Sequence, residues 1–275
     1  MATDSKAVIV TGAASGIGRA IAVGLAADGH DVTAVDRNGA ALAELAGQVA
    51  DLRGRVHVVT ADLAQPDSFA HAVGAALIRF GRIDVLVNNA GIGQAAVRPD
   101  QRANPIRFWE TTPEQWARFL AVNATAPINM ARAVLPYMLA AKAGRIVTVT
   151  TSLGTMVRAG HLLYGSAKAA AESAMAVLSA DLAGTGVTSN VLVPGGTTNT
   201  ALVGEAGDPM KMLQPEIMLP PLRWLLSGEA ATVNGRRFIA ADWDVALAPA
   251  AAAEKAGAPI AWLGIARMPI EPRSD

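Results

Sequence analysis

The sequence predicts an α/β protein built on a mostly parallel sheet with helices on both faces. Short β-branched runs alternate along the chain with alanine-rich stretches of helical character. Several of these runs are apolar almost throughout, which is typical of strands covered on both faces. Repetition of strand, helix and strand implies right-handed crossovers between parallel neighbours.

The strands and helices are predicted to alternate along the chain. The β-branched runs predict strands at Ala7–Thr11, Val32–Val35, Val56–Thr60, Ile83–Val87, Arg145–Thr150, Thr188–Val193 and Arg237–Ala240. The stretches between them predict helices at Gly18–Asp28, Gly39–Asp51, Pro66–Phe80, Thr112–Ala141, Tyr164–Ala183 and Leu219–Ser227. No linker or low-complexity segment interrupts this order, so residues 1–275 are predicted to form a single domain.

Three segments are longer than such a fold requires. Ile92–Pro113 is a polar insertion that contains arginines and prolines, and residues 200–221 carry methionines between glycines and prolines. Because long excursions at strand ends often form substrate loops or lids, residues 200–221 are predicted to be a substrate loop. Residues 245–275 form an Ala- and Pro-rich C-terminal extension.

The composition excludes several classes of function. Lys and Arg total 23, as do Asp and Glu, so the chain lacks the basic excess that nucleic acid or an anionic membrane surface attracts. The mean hydropathy is +0.32, yet no run of about 20 apolar residues predicts a membrane span. The chain has no cysteine and only four histidines without an HExxH motif, so no metal site is expected. With no signal-peptide pattern at the N-terminus, a cytoplasmic protein is expected.

A glycine-rich turn joins the first predicted strand to the first predicted helix. Residues 11–18 read TGAASGIG, and glycines there let the backbone turn tightly and approach a pyrophosphate. The following helix N-terminus offers free N–H groups and a positive dipole end. A purely structural turn is the alternative, but the position after an apolar strand is the one that a dinucleotide site requires. The predicted cofactor-binding residues in this turn are Gly12, Ser15, Gly16, Ile17 and Gly18.

Acidic residues end the second and third predicted strands. Asp36 lies 18 residues after Gly18, where a carboxylate accepts ribose hydroxyls and repels a 2′-phosphate. NAD is therefore the predicted cofactor and NADP the less favoured one, although Arg37 is placed to meet a 2′-phosphate. Asp62 and Leu63 are predicted to bind the adenine, with a plain loop aspartate as the alternative.

Three motifs together resemble those of the short-chain dehydrogenase/reductase family. They are TGAASGIG at residues 11–18, NNAG at residues 88–91 and YGSAK at residues 164–168, in the family's order and spacing. The resemblance covers residues 7–242. It implies a Rossmann-type, doubly wound, seven-stranded parallel sheet that binds a nicotinamide cofactor. It also implies a homo-oligomer, often a tetramer.

The resemblance assigns further residues to the cofactor. It implies that Asn88 stabilises the central sheet and that the adenosine ribose runs along Asn89, Ala90 and Gly91. The turn after the sixth strand is implied to contact the nicotinamide carboxamide. Here Asn199 stands where the family has a threonine, so the side-chain donor stays open between Asn199 and Thr200. The predicted contacts of this turn are Pro194, Gly195, Thr197 and Thr200.

Tyr164 and Lys168 are the predicted catalytic pair. Residues four apart on a helix share one face. A free phenol has a pKa of about 10, and a nearby ammonium favours its ionised form, so Lys168 is expected to lower the pKa of Tyr164. Tyr164 then serves as the general acid or base for a substrate hydroxyl. Lys168 is also expected to bind the nicotinamide ribose.

Two further catalytic positions follow from the resemblance. The family has a hydroxyl residue after the fifth strand, and both the usual interval to the tyrosine and the usual distance to a glycine point to Thr151. Ser152 is preferred narrowly because its hydroxyl is less hindered, and Thr151 is kept beside it. Asn123 matches the family asparagine that holds a water next to the lysine.

The sequence therefore predicts an NAD-dependent enzyme that interconverts a small-molecule secondary alcohol and a ketone. The alternative is a sensor or scaffold that binds NAD on the same fold with little catalysis. The alanine-rich helices at Thr112–Ala141 and Ala167–Ala183 offer surface for close packing between subunits, and interior packing is the rival explanation.

Overall fold

The computed structural model describes residues 5–204 and 208–264. The strands that it contains are β1 (Ala7–Thr11), β2 (Asp31–Asp36), β3 (Val56–Thr60), β4 (Val85–Asn88), β5 (Gly144–Val149), β6 (Val187–Val193), β7 (Arg236–Ile239) and β8 (Gly257–Pro259). In the described part of the chain they form one sheet in the order β3-β2-β1-β4-β5-β6-β7-β8. The first seven strands pair in parallel, which confirms the predicted architecture.

Helices cover both faces of this sheet. They are α1 (Gly16–Ala27), α2 (Gly39–Gln48), α3 (Asp67–Phe80), α4 (Pro113–Leu120), α5 (Ala126–Ala141), α6 (Leu153–Met156), α7 (Leu162–Asp181), α8 (Leu219–Leu226) and α9 (Pro249–Ala256). Side chains of β1 alternate between two cores: Val8 and Val10 pack with Ile21 of α1, whereas Ile9 packs on the other side with Met130 of α5. This alternation is the reason that the strand is apolar throughout.

The eighth strand differs from the seven that the resemblance implies. β8 pairs antiparallel with β7, from Arg236 opposite Pro259 to Phe238 opposite Gly257. Gly, Ala and Pro have poor strand propensity, and Pro fits only at an unpaired edge, so the three-residue strand carries no strand pattern of its own. It places residues 257–259 of the C-terminal extension at the edge of the sheet.

The prediction of one continuous helix over Thr112–Ala141 is wrong in the middle of this range. The structure has α4, then a π-helical turn at Ala121–Thr125, and then α5. A π turn inserts a residue into the helical repeat and often marks a functional site. Here Asn123 lies at its centre.

Strand order reverses between β1 and β4. The chain adds β2 and β3 on one side of β1, and then crosses over to place β4 on the other side. A crevice opens at the carboxyl ends of the strands where the crossovers diverge, and open α/β sheets bind their ligands there. Within residues 5–204 and 208–264, no helix is both long and apolar enough to span a bilayer.

Candidate active site

A cleft of about 1060 Å³ opens at the carboxyl ends of the parallel strands. Most of the residues predicted from the sequence line it together. They are Gly12, Ser15, Gly16, Ile17, Asp36, Asp62, Leu63, Asn89, Ala90, Gly91, Thr151, Ser152, Tyr164, Lys168, Pro194, Gly195, Thr197 and Thr200. Gly18 and Asn123 are not among the lining residues. Gly18 packs against Gly12 and Asn123 bonds to Ile92, and both of these partners line the cleft.

The glycine positions of this turn have no room for a side chain. A Cβ on Gly12, whose φ is +67°, would lie 2.8 Å from Ala90 Cα, and one on Gly18 would lie 2.0 Å from Gly12 O. Gly18 therefore lets the first turn of α1 pack onto the loop. Gly16, with φ +51°, lies so close to Thr200 that a Cβ would be 2.8 Å from its Cγ2. The backbone cradle and the helix N-terminus at Gly16 fit a dinucleotide pyrophosphate.

Asn89 joins the ends of β1 and β4. Its Nδ2 donates to Thr11 O at 3.0 Å and to Gly12 O at 3.2 Å. The backbone N–H groups of Asn89 and Ala90 both donate to Thr11 Oγ1, at 3.0 and 3.1 Å. Asn88 is buried and donates from Nδ2 to Pro127 O at 3.1 Å. These bonds hold the floor of the cleft at the point where the strand order reverses.

Carboxylates mark the end of the cleft next to β2 and β3. Asp36 accepts from Ala14 N at 3.1 Å through Oδ2 and from Asn38 N at 2.9 Å through Oδ1. These bonds fix the carboxylate at the rim, beside Arg37. Asp62 accepts from Ala64 N at 3.0 Å and lines the same end. A dinucleotide with its pyrophosphate on the glycine turn would place its adenosine here.

Tyr164 and Lys168 lie on one face of α7, as the spacing predicts. Lys168 is buried, donates from Nζ to Val149 O at 2.9 Å, and lies 6.0 Å from the centre of the Tyr164 ring. Burial lowers the pKa of Lys168 to about 8. Because an ammonium has three N–H donors, this geometry leaves Lys168 able to bind a ribose hydroxyl as well.

The expected lowering of the Tyr164 pKa is wrong for the chain alone. Burial raises the pKa of Tyr164 to about 12, and a hydrogen bond with the Thr151 side chain opposes this rise only in part. Desolvation disfavours every charged form, so it keeps the phenol protonated and weakens the ammonium of Lys168 at the same time. The spacing of residues reveals the neighbouring charge of Lys168 but not this burial.

Thr151 and Ser152 both line the cleft, but they differ in what they contact. The Thr151 side chain lies close enough to Tyr164 to oppose the rise in the pKa of its phenol. Ser152 directly precedes α6, and its carbonyl accepts from Thr155 N at 2.9 Å and from Met156 N at 3.3 Å. The geometry therefore favours Thr151 as the hydroxyl beside Tyr164, in place of the narrow preference for Ser152.

Asn123 acts through its side chain on the start of the insertion. Its Oδ1 accepts from Ile92 N at 3.1 Å, and its Nδ2 donates to Ile92 O at 3.0 Å. A Cβ on Gly91 would lie 2.9 Å from Asn123 Oδ1 and 3.5 Å from Lys168 Nζ. The π turn therefore brings the buried side-chain amide of Asn123 near the Lys168 ammonium.

The turn after β6 is held from both sides. Thr197 O accepts from Leu213 N at 3.0 Å, and Thr197 Oγ1 accepts from Arg102 Nη2 at 2.6 Å. Asn199 is not among the cleft-lining residues, since its Nδ2 donates to Gln214 Oε1 at 3.2 Å. Thr200 remains in the cleft wall, so it is the side-chain donor that the geometry favours.

The two excursions beside the cleft meet each other. A Cβ on Gly93 would lie 2.3 Å from Leu202 O, and one on Gly204 would lie 2.6 Å from Ala95 Cβ. Residues 200–204 thus pack on the Ile92–Pro113 insertion and cover part of the cleft. Residues 205–207 of the predicted substrate loop, and 265–275 of the extension, lie outside the described residues.

Basic residues also line the cleft. Arg102, Arg158 and His161 line it. Burial lowers the pKa of His161, and the positive charges of Arg158 and Arg102 lower it further. His161 directly precedes α7, three residues before Tyr164, and it forms part of the cleft wall.

Two buried charged residues behind the cleft were also missed. Glu172 of α7 and Arg237 of β7 form an ion pair at 2.9 Å. The signal was present, because Glu172 is a carboxylate that follows three alanines on the alanine-rich helix, eight residues after Tyr164, and Arg237 interrupts a buried strand. Neither residue type is expected at an interior position unless it is paired.

The cleft geometry is that of an oxidoreductase with a dinucleotide-binding sheet. Comparison with known proteins supports this class: the model of the family described as short chain dehydrogenase matches residues 6–211. The chain belongs to the short-chain dehydrogenase/reductase family, whose members bind a nicotinamide cofactor.

Relatives span most of the chain. A D-threitol dehydrogenase of Mycolicibacterium smegmatis is 33% identical over 86% of this chain and 91% of its own length. A 3-oxoacyl-(acyl-carrier-protein) reductase of Synechocystis is 31% identical over 86% of this chain and 96% of its own. The crystal structure of a metagenomic short-chain oxidoreductase in complex with NADP superposes with a TM-score of 0.73. It is 26% identical and covers 87% of this chain and 98% of its own.

The buried Lys168 predicts an unusual dependence of stability on pH. Its pKa is about 8 in the folded chain and 10.5 ordinarily, so between these values the unfolded chain binds more protons and the free energy of unfolding rises with pH. The rise from this group is about 3 kcal/mol, and Lys168→Met should lack it. Above pH 10 the raised pKa of Tyr164 acts in the opposite direction. Urea unfolding at both ends of the lower window measures the difference.

The matched control is Lys211→Met, which removes an exposed lysine. It should retain the parent's pH dependence. Parallel curves for the parent and Lys168→Met would contradict the assignment.

Proposed function

We propose that this protein is an NAD-dependent oxidoreductase that interconverts a secondary alcohol and a ketone, with Tyr164 as the general acid and base. The observation that carries the proposal is the convergence of Tyr164, Lys168 and Thr151 on one cleft whose other end is the glycine cradle. The cleft is long enough to hold a dinucleotide and leaves space beside Tyr164 for a small substrate.

The residues of the cradle and of both strand-end turns would hold the cofactor. Its pyrophosphate fits the N-terminus of α1 at Gly16, its adenosine fits between Asp36 and Asp62, and its nicotinamide end fits beside Thr197 and Thr200. When bound, the nicotinamide accepts or supplies the hydride. The chain itself orients that ring, excludes water from it and handles the proton.

Proton transfer falls to Tyr164. In the direction of alcohol oxidation it takes the hydroxyl proton of the substrate, and in the direction of ketone reduction it donates one to the carbonyl oxygen. The Thr151 hydroxyl orients the same substrate oxygen. Lys168 favours the ionised phenol by its charge. The backbone of Asn123 would hold a water that connects this ammonium to solvent, and the Asn123 side chain holds the backbone of Ile92.

The choice of NAD rests on Asp36. Its carboxylate is fixed by two backbone N–H groups at the adenosine end and repels a 2′-phosphate. Arg37 lies beside it and favours the opposite choice once the carboxylate charge is removed. The related metagenomic structure holds NADP, so this preference is tested directly below.

We also propose a homo-oligomer, with a tetramer favoured over a dimer. Apolar side chains stay exposed on the long helices, among them Tyr137 and Leu139 of α5 and Val177 of α7. Phe108 and Trp109, just before α4, are exposed to 70% and 82%. Large exposed apolar groups that cluster on neighbouring elements are typical of subunit contacts.

Tyr164→Phe should abolish turnover, with a loss of about 10²–10⁴-fold, while dinucleotide affinity is retained. The measurement is NADH absorbance over a panel of secondary alcohols and ketones that includes D-threitol, since one relative carries that name. Tyr137→Phe is the matched control because the chain has only two tyrosines. Undiminished activity of Tyr164→Phe would reject the mechanism. Tight NAD binding without turnover on any panel member would favour the sensor or scaffold.

Thr151→Val should lower kcat about 10²-fold, because it removes a hydroxyl that bonds the reacting oxygen. Thr151→Ser should retain most activity, since it keeps that hydroxyl, and Ser152→Ala should have a much smaller effect than Thr151→Val. Steady-state kinetics with the active panel substrate measure all three. A larger loss from Ser152→Ala would reverse the assignment.

Asp36→Asn should raise the ratio of kcat/KM with NADP to that with NAD by at least about tenfold, equivalent to about 1.4 kcal/mol. The change removes the charge that repels the 2′-phosphate and keeps the shape of the side chain. Arg37→Gln is the control and should leave the use of NAD unchanged. A parent enzyme that uses NADP as well as NAD would refute this role for Asp36.

A further inference from the structure

A buried ion pair lies directly behind the Tyr164 end of the cleft. Glu172 is fully buried on α7, and Arg237 on β7 is 4% exposed. Arg237 Nε donates to Glu172 Oε1 at 2.9 Å. Neither side chain lines the cleft, and the function proposed above assigns no role to either.

Both partners hold the end of β5. Thr150 Oγ1 donates to Glu172 Oε2 at 2.6 Å, and Arg237 Nη2 donates to Thr151 O at 2.9 Å. Thr150 and Thr151 are the residues at which the strand gives way to the loop that faces Tyr164. The pair therefore fixes the backbone on which the Thr151 hydroxyl is carried.

The C-terminal segment supplies one more bond to the carboxylate. Ala261 N donates to Glu172 Oε1 at 3.1 Å. Ala261 has φ +53°, a left-handed conformation that is uncommon for a residue other than glycine. It follows the fully buried Ile260, just after β8. The backbone accepts an unfavourable conformation at the place where its N–H meets Glu172.

Stability alone is a poor reason for this arrangement. A buried ion pair gains little over well-packed apolar residues of the same volume, because both charges lose their hydration. The pair contributes fixed hydrogen-bond geometry, because a planar guanidinium and a carboxylate hold their partners at defined angles. Here the partners are two successive residues beside Tyr164 and the C-terminal segment.

We propose that Glu172 and Arg237 are positioning residues, which fix Thr150 and Thr151 so that the Thr151 hydroxyl meets Tyr164. The C-terminal segment at Ala261 completes this support. The inference rests on the function proposed for Tyr164 and Thr151. It gives the C-terminal extension a role in the active site, although none of its described residues, 245–264, lines the cleft.

The double variant Glu172→Gln/Arg237→Met tests this role. It removes both charges together, so no unpaired charge stays buried, and Gln can still bond Thr150 and Ala261 N. The bond to Thr151 O is lost. We expect a melting temperature close to the parent's, an unchanged Kd for NAD and an unchanged KM. We expect kcat to fall at least about tenfold, since a small displacement of a reacting group has that effect. A stable double variant with the parent's kcat would overturn the proposal.

A second pair of variants at Thr150 serves if the double variant does not fold. Thr150→Val keeps the shape and removes the hydroxyl, whereas Thr150→Ser keeps the hydroxyl. We expect kcat to fall in Thr150→Val and to be restored in Thr150→Ser, with KM unchanged in both. Equal kcat in the two variants would overturn the proposal.

Hydrogen exchange separates this proposal from the function on which it rests. Faster amide exchange at residues 150–152 in the double variant, or in Thr150→Val, is expected even if no panel substrate is turned over. Exchange at α2, far from the network, should stay at the parent's rate. Unchanged protection at residues 150–152 would overturn the positioning role, whereas absent turnover by the parent would count only against the proposed function.

Discussion

The helical repeat of α7 places three polar side chains against the end of β5, and the candidate active site depends on this contact. Tyr164, Lys168 and Glu172 follow one another at intervals of four residues, so all three share one face of the helix. Tyr164 lies near the Thr151 side chain, Lys168 Nζ donates to Val149 O, and the Glu172 carboxylate accepts from the Thr150 hydroxyl. A helix and a buried strand are rigid elements, and groups carried on them are held more accurately than groups on loops.

The other end of the cleft is built from backbone instead of side chains. The reversal of strand order between β1 and β4 opens the crevice, and Asn89 ties the two strands together below it. Gly12 and Gly18 then let the loop and α1 approach each other more closely than any Cβ permits. The cleft thus has N–H groups and a helix dipole where a pyrophosphate would bind, and carboxylates where an adenosine would bind. This difference in chemistry along the cleft suits a dinucleotide, which has an anionic pyrophosphate in one part and a neutral adenosine in another.

The sequence was sufficient to predict the parallel strands and most of the site, because both have local signals. Strand apolarity arises from burial on both faces, and the spacing of Tyr164 and Lys168 reflects one turn of helix. Features that depend on distant partners were not predictable. β8 has no strand pattern and forms by pairing with β7. The π turn at Asn123 depends on the two hydrogen bonds that the Asn123 amide makes with the backbone of Ile92. The raised pKa of Tyr164 depends on how many atoms surround it, which no spacing of residues reveals.

Burial acts on both members of the catalytic pair through the same cause. It raises the pKa of Tyr164 to about 12 and lowers that of Lys168 to about 8, so burial shifts each group toward its neutral form. A cation brought into the cleft would oppose the effect of desolvation on Tyr164, because it favours the phenolate. It would reinforce the effect of desolvation on Lys168, because it disfavours the ammonium. Both changes release a proton. Occupation of the cleft by a positively charged ring would therefore couple binding to deprotonation of the pair, and its neutral reduced form would not. The charge of the ring, which differs between the two directions of the reaction, would then influence whether Tyr164 is protonated, and the low polarity of the site strengthens this influence.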